Sequence, residues 1–385
     1  ESYPMLQPLS AGEHHGIFHP NNRPRFREMR MVARAPQIDT VISNFTPRFI
    51  TSGVPLADFQ EATDGLVNWE DWLPRWSARA EIHEDMGREA LAAGKGFSAA
   101  DHLTTAALIY HFAKFMAVQF PEEMRATHAK AVECHRLALP HMDPPGERVA
   151  IPFEGHELYG NLRKPVGVDN PPVVIMVPGL EATKEEIFGY TPALLARGMA
   201  TLPIDGPGQG EAEYDLPIRG DYEVVAAAII DWIESRADLD GNRVGMFGVS
   251  LGGYHAPRAA SFEKRIKACV AISGAYDWAE NWDKKSDLNR EVFRIRSHAK
   301  TLEEAHANGK TLTLRECAKN ITCPIYIIAG GLDRITAVEA ANQLAADVSG
   351  PKIVSIVEDG NHVCHNRPYK VRPQTADWLA EQLDA

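Results

Sequence analysis

Apolar positions follow two different patterns along this chain, with the change at about residue 145. From Asp58 onward they recur at helical spacing: Leu108, Phe112, Phe115 and Met116 mark one helix face, and Met124, Val132 and Leu139 another. Ser98-Ala99-Ala100-Asp101 has the Ser-x-x-Asp form of a capping box, so a helix is expected to open there, with Gly94 and Gly96 closing the one before. Pro121-Glu122-Glu123 opens the next helix, with its acids at the positive dipole end, and Pro140 stops it. Residues 1–56 carry scattered Pro and His with no sustained period and read as an irregular leader. Residues 1–145 are therefore expected to form an N-terminal helical domain behind that leader. No 34-residue self-similarity supports a repeat array.

After Asp143-Pro144-Pro145-Gly146 the period shortens. Glu147–Phe153 and His156–Arg163 alternate around Glu154-Gly155, a hairpin signal. Six apolar runs follow: Val173–Val177, Met199–Ile204, Arg243–Phe247, Lys267–Ile272, Ile325–Ala329 and Lys352–Val357. Helical windows lie among them at about 184–197, 221–236, 250–261, 337–346 and 373–383. Strand alternating with helix predicts an α/β domain over residues 146–385, with an eight-stranded, mostly parallel sheet covered on both faces. A charged, helical insertion is expected at about 274–320, long enough to suggest a role near a site.

Composition narrows the class. The chain has 385 residues, 44% apolar and 24% charged, which excludes a disordered or fibrous protein. Its 40 basic and 52 acidic residues leave a net charge of −12, unlike the clustered Lys and Arg of a nucleic-acid binder. No apolar run reaches the ~20 residues of a membrane span, so no membrane partner is expected. Glu1-Ser2-Tyr3-Pro4-Met5 lacks the basic and apolar regions of a signal peptide. The five scattered cysteines are an odd number and read as reduced thiols. A cytoplasmic location is the expectation.

Chemistry concentrates at the ends of the strands. Gly248-Val249-Ser250-Leu251-Gly252 falls where a strand gives way to a helix, the setting of a nucleophile elbow. Asp333, in Gly330-Gly331-Leu332-Asp333, follows the seventh strand, and His362, in Gly360-Asn361-His362, follows the eighth. Nucleophile, acid and His then occur in the order a triad on such a sheet requires, all at carboxyl ends of strands. Ser250 is expected to attack, His362 to act as base and then acid, and Asp333 to orient the imidazole. The N–H of Leu251 is one expected oxyanion donor; the second should come from Leu180 or Glu181, after the third strand. Gly206-Pro207-Gly208-Gln209-Gly210 lacks dinucleotide-loop spacing. His83-Glu84-Asp85-Met86-Gly87 lacks the second His of a zinc motif, and Cys364 beside His362 and His365 reads as packing. No metal is expected. Trp69, Trp72 and Trp76 in the helical domain, and Trp278 and Trp282 on the insertion, have two readings: core packing, or aromatic walls of a pocket.

Residues 147–385 resemble the α/β-hydrolases. The whole chain is similar to bacterial carbon–carbon bond hydrolases of the kind that act in nicotine breakdown. The likeness rests on Gly179-Leu180-Glu181-Ala182-Thr183-Lys184-Glu185-Glu186, on Asp205-Gly206-Pro207-Gly208-Gln209-Gly210-Glu211, on Ser250-Leu251-Gly252-Gly253, and on Gly360-Asn361-His362-Val363-Cys364-His365-Asn366. A fungal group acting on polyketide precursors shares the plan with a poorer local match. The resemblance implies an α/β-hydrolase fold with the N-terminal helices as cap, a cofactor-free Ser-His-Asp enzyme, a small ketonic substrate and homodimers. It also implies an extra acid near the substrate, which Asp277, Glu280 and Asp283 could each supply. The expected reaction is cleavage of a C–C bond next to a carbonyl. Ester or amide hydrolysis by the same triad is the alternative, and a non-catalytic ligand binder on the same fold the second alternative.

Overall fold

The computed structural model describes residues 34–385; most of the expected leader, with the chain start read for a signal peptide, lies outside the described residues. Five helices come first: α1 (Pro36–Ser52), α2 (Leu56–Thr63), α3 (Trp72–Ala92), α4 (Gly96–Lys114) and α5 (Pro121–Ala138). The helix α1 corrects the expectation of irregular chain up to residue 56. Pro36 sits in its first turn and Ile38, Val41 and Phe49 are buried along one face, a helical period that Pro47 interrupts in the sequence but not in the structure. Helix α4 begins at Gly96, so Ser98 lies inside it rather than capping it. Gly94, at φ +69°, does end the preceding helix run.

Trp69, Trp72 and Trp76 stack in series, with ring centroids 5.3 and 5.1 Å apart, and Phe49, Phe59 and Phe112 close around them. They are the core of the helical layer. Burying three such rings accounts for much of why these helices hold together.

The eight expected strands all form: β1 (Gly146–Phe153), β2 (His156–Arg163), β3 (Pro172–Val177), β4 (Ala200–Pro203), β5 (Asp240–Val249), β6 (Ile266–Ile272), β7 (Ile325–Gly330) and β8 (Lys352–Val357). They make one sheet in the order β1-β2-β4-β3-β5-β6-β7-β8. The β1–β2 hairpin is antiparallel, β2 meets β4 antiparallel, and every pairing from β4 to β8 is parallel. Strand β3 is apolar and buried along its whole length and β5 from Val244 to its carboxyl end, as strands covered on both faces must be. The covering helices are α6 (Lys184–Ile187), α7 (Thr191–Leu195), α8 (Tyr222–Glu234), α9 (Leu251–Phe262), α12 (Val338–Asp347) and α13 (Arg372–Leu383). The window at 184–197 is two short helices, because a single turn at Phe188–Tyr190 precedes Pro192. The insertion between β6 and β7 holds α10 (Asp287–Arg296) and α11 (Leu302–Gly309). Among the described residues no helix is long and apolar enough to cross a membrane.

Candidate active site

Strand β5 delivers Ser250 at its carboxyl end, and α9 starts with the next residue. Ser250 is held at φ +55°, ψ −116°, a strained conformation that only the surrounding packing can impose. That packing depends on two glycines. A Cβ on Gly248 would lie 1.9 Å from the Gly252 carbonyl oxygen, and one on Gly252 would lie 2.1 Å from that of Val177. Backbone surrounds both positions, so no larger residue fits and the elbow can be this sharp.

The loops after β7 and β8 bring the other two residues in. His362 Nε2 is 2.8 Å from Ser250 Oγ, and His362 Nδ1 is 2.8 Å from Asp333 Oδ2. A carboxylate can only accept, so Nδ1 carries the proton and Nε2 is left to take one from the serine hydroxyl. The other Asp333 oxygen accepts the N–H groups of Ile335 and Thr336 at 2.8 and 2.9 Å. Burial alone would raise the Asp333 pKa; His362 and these two N–H groups outweigh it and hold the carboxyl below its usual range. The turn carrying His362 is clamped by a reciprocal pair, Asn361 N–H to Asn366 Oδ1 at 2.8 Å and Asn366 N–H to Asn361 Oδ1 at 3.2 Å.

Opposite Ser250, the loop after β3 is pinned by its carbonyls. Gln209 Nε2 donates to Pro178 O at 2.5 Å and to Gly179 O at 3.1 Å, and Arg296 donates to Leu180 O. With its carbonyls held from behind, this loop has its N–H groups to offer elsewhere, as does Leu251 at the first turn of α9. Gly179 lies against Ser250, where a Cβ would come within 3.2 Å of the serine Cβ. The Gln209 amide belongs to the Asp205–Glu211 stretch, whose other members hold the same loop: Asp205 Oδ1 accepts Lys184 N–H at 2.8 Å, and Asp205 Oδ2 accepts Lys184 Nζ at 2.7 Å.

The cavity at Ser250 is lined by Gly179, Glu181, Ala182, Glu186, Ile187, Tyr190, Val249, His362, Val363 and His365 from the sheet domain, and by Arg48 and Ser52 from α1. Arg48 grips Glu186 with both ends of its fork, Nε to Oε1 at 2.6 Å and Nη2 to Oε2 at 2.7 Å. His111 of α4 adds a third contact to Glu186 at 2.8 Å. Burial alone would raise the Glu186 pKa; Arg48 outweighs it, and the carboxyl sits far below its usual range. A polar groove at Asn170, Glu234 and Asp240–Asn242 lies at the opposite, amino end of β5.

Several expected site residues lie elsewhere. Asp277 accepts the N–H groups of Ala279 and Glu280 in its own turn and pairs with Arg315 at 3.0 Å; Glu280 also pairs with Arg315, at 3.3 Å. Asp283 is exposed. None of the three reaches the cavity; the acids there are Glu181 and Glu186. Trp278 stacks on Phe293 at 5.2 Å and Trp282 on His306 at 5.1 Å, so both pack the insertion internally and neither lines the cavity. Glu181, expected for its backbone N–H, lines the cavity, and its carboxylate lies 3.9 Å from Arg48 Nη1. Burial pushes the Cys364 thiol up to about 12, as for a packing residue. His128, Glu185 and Asp205 gather closely enough to suggest a cation site, but Lys184 Nζ already fills it, 2.8 Å from Glu185 and 2.7 Å from Asp205.

Arg48, Glu186, Tyr190 and His365 were missed as site residues. Glu186 and His365 lie inside two of the stretches that carry the family likeness, whereas only the docking of α1 makes Arg48 a cavity residue.

Residues 50–288 match the model of the FrsA-like esterases. The chain is 35% identical over 342 residues to 2,6-dihydropseudooxynicotine hydrolase of Paenarthrobacter nicotinovorans, covering 88% of this chain and 91% of that protein. It is 33% identical over 257 residues to the hydrolyase ccsE of Aspergillus clavatus, covering 60% of this chain and 58% of the relative. The crystal structure of 2,6-dihydroxy-pseudo-oxynicotine hydrolase superposes with a TM-score of 0.81 over 88% of this chain and 95% of that one, at 34% identity. AbyA5, at 18% identity and a TM-score of 0.68, shares the fold. With its eight-stranded sheet, its helical N-terminal layer and these likenesses, the chain belongs to the FrsA-like esterase family of α/β-hydrolases.

Proposed function

We propose that this protein is a serine hydrolase that cleaves a C–C bond next to a carbonyl in a small ketone or β-diketone. The observation that carries the reading is the Ser250–His362–Asp333 relay, two contacts of 2.8 Å at the mouth of a cavity. Ser250 Oγ attacks the ketone carbon while His362 Nε2 takes its proton. The N–H groups of Leu251 and of Leu180 or Glu181 receive the oxyanion. The tetrahedral intermediate then expels carbon: the C–C bond breaks, its electron pair stays on the leaving carbon, and His362 returns the proton there. Water, deprotonated by His362, hydrolyses the acyl-enzyme to a carboxylic acid. The relative from Paenarthrobacter is a hydrolase acting on C–C bonds, which supports carbon as the leaving group here. The family model's description as an esterase favours the alternative, an ester or amide bond cut by the same relay. A non-catalytic binder would have no use for a base held on a strained serine.

The functional division assigns residues 1–145 to a cap and 146–385 to the catalytic domain. Neither metal nor organic cofactor takes part. A cytoplasmic homodimer completes the proposal, and five free cysteines support a reducing compartment.

The test is a panel of β-diketones beside simple esters in deuterated water, with products identified by mass. A ketone product carrying deuterium at the former C–C position, absent with Ser250→Ala, is the expected result. Replacing a triad nucleophile costs on the order of 10⁶ in kcat. Efficient turnover of esters alone would move the assignment to the esterase alternative.

A further inference from the structure

The insertion between β6 and β7 sends one charged side chain to the loop opposite Ser250. Arg296 ends α10 and is buried, 4% exposed. Its Nη1 donates to Leu180 O, and its Nη2 pairs with Glu213 Oε2 at 3.0 Å. The Arg296 carbonyl accepts the N–H of Ile218 at 2.9 Å, so the residue is fixed at its backbone as well as at its guanidinium. Glu213 lies in the short helical turn Gly210–Tyr214, which the cap also holds. Lys114 Nζ of α4 is 3.8 Å from Glu213 Oε2, and His128 of α5 meets the Tyr214 hydroxyl at 3.0 Å.

The carbonyl that Arg296 grips has a defined counterpart. A peptide unit is planar and trans, so its C=O and N–H point in opposite directions. The Leu180 C=O shares its unit with the Glu181 N–H, and fixing the one aims the other. Gln209 does the same for the two units before it, through Pro178 O and Gly179 O. Among the described residues no acceptor takes the Leu180 or the Glu181 N–H, and of these two residues only Glu181 lines the cavity at Ser250. The N–H that Arg296 aims therefore belongs to the residue that meets the serine. A charged donor makes a hydrogen bond about twice as strong as a neutral one and polarises the peptide it binds, which makes the far N–H a better donor. Packing does not account for the ion pair. Val292 and Phe293 already bury the apolar face of α10, and apolar side chains in place of a buried ion pair are often neutral or stabilising. What the pair adds is direction.

We propose that Arg296, held by Glu213, is a positioning residue of the oxyanion hole: it orients and polarises the Leu180–Glu181 peptide so that the Glu181 N–H receives the negative charge formed when Ser250 adds to the carbonyl. This rests on Ser250 marking the active site, and it applies whether carbon or oxygen leaves. Arg296 touches no reacting atom and acts through the peptide alone.

The test compares wild type with Arg296→Met, Arg296→Lys and Glu213→Gln. One readout is the rate at which a fluorophosphonate labels Ser250; its phosphoryl oxygen takes the oxyanion position, and no cognate substrate is needed. The other is kcat and KM for whichever diketone or ester of the panel turns over fastest. Arg296→Met should lower the labelling rate and kcat together by about ten- to a hundredfold, the scale of misplacing a group by about 1 Å, with KM within about twofold. Arg296→Lys, which still offers a cation to the Leu180 carbonyl, should recover part of that loss. Glu213→Gln keeps the guanidinium but weakens its anchor, and should fall between wild type and Arg296→Met; it decides the matter if Arg296→Met does not fold. Labelling within about twofold of wild type in Arg296→Met and Glu213→Gln, a loss confined to KM, or Arg296→Lys no better than Arg296→Met would each overturn the role. Wild type that fails to label at Ser250 overturns the functional reading and this role with it. Wild type that labels but cleaves no C–C bond removes only the C–C reading, and the labelling rates still decide the role of Arg296.

Discussion

Replacing Arg48 by Met removes the charge that the cap contributes to Glu186. Both side chains are almost wholly out of solvent, 7% and 6% exposed, and they are joined by two hydrogen bonds of 2.6 and 2.7 Å. Without Arg48 the carboxylate keeps only His111, whose pKa burial lowers, so the imidazole brings no charge of its own. Stranding one member of a buried pair costs about 3–5 kcal/mol. Unfolding entropy of about 2.1 cal/mol/K per residue, over about 350 cooperatively folded residues, converts that to a fall in Tm of about 4–7 °C. Glu186→Gln should cost a similar amount by stranding Arg48. The double variant Arg48→Met/Glu186→Gln should lose less than the sum by at least about 2 kcal/mol, because the amide still satisfies His111 and no charge is left unpaired. Calorimetry with urea titration of the four proteins measures the cycle. The pH dependence has a definite sign. Glu186 is depressed in the folded state, so its stabilisation is present above the ordinary carboxylate range and drains away as pH falls below it; Glu186→Gln should flatten that acid limb. Single variants melting within about 1 °C of wild type, or strictly additive losses, would refute the idea that cap and catalytic loop are joined through this pair.

Asp333→Asn should leave the fold intact and lower kcat on the order of 10⁴-fold, because the amide no longer selects the Nδ1–H form of His362; steady-state kinetics on any turned-over ester reads this. Gln209→Ala frees the carbonyls of Pro178 and Gly179. It should lower kcat by about 10²-fold, the scale of losing one oxyanion donor, while phosphonate labelling still occurs at Ser250, and an unchanged kcat would show the loop is held without it.

The strands and the elbow were legible because each is a local property. Short apolar runs bounded by turns leave few other readings, and Gly248-x-Ser250-x-Gly252 can only be tight where strand meets helix. The chain order of Ser250, Asp333 and His362, each after a separate strand, placed all three at one edge without any knowledge of contacts. Helix α1 was hidden because Pro47 and the surrounding prolines weigh against a helix, although Ile38, Val41, Ile42, Phe45 and Phe49 keep its period. The extra acid near the substrate could not be placed on Asp277, Glu280 or Asp283 from the sequence for a different reason. Nothing near Asp277 in the chain shows that Arg315, 38 residues later, folds back onto it. Arg48 was the least legible of all, since its place beside Ser250 comes from docking one layer on another.

That docking has a consequence for how such an enzyme can change over evolutionary time. Polar contacts that stitch the helical layer to the sheet include Arg48 and His111 to Glu186, His128 to Tyr214 at 3.0 Å, and Asn161 to His135 at 3.0 Å. Each ties an N-terminal helix to the sheet or to a loop that the sheet carries. The first two end on the segment that also presents Gly179 and Glu181 to the serine. A domain attached this way is not an exchangeable module: grafting another cap would strand the Glu186 carboxylate and leave the Tyr214 hydroxyl and the Asn161 amide without their partners. New substrate ranges in this lineage are therefore reached most easily by exchanging wall side chains such as His365 one at a time, with the stitching left in place.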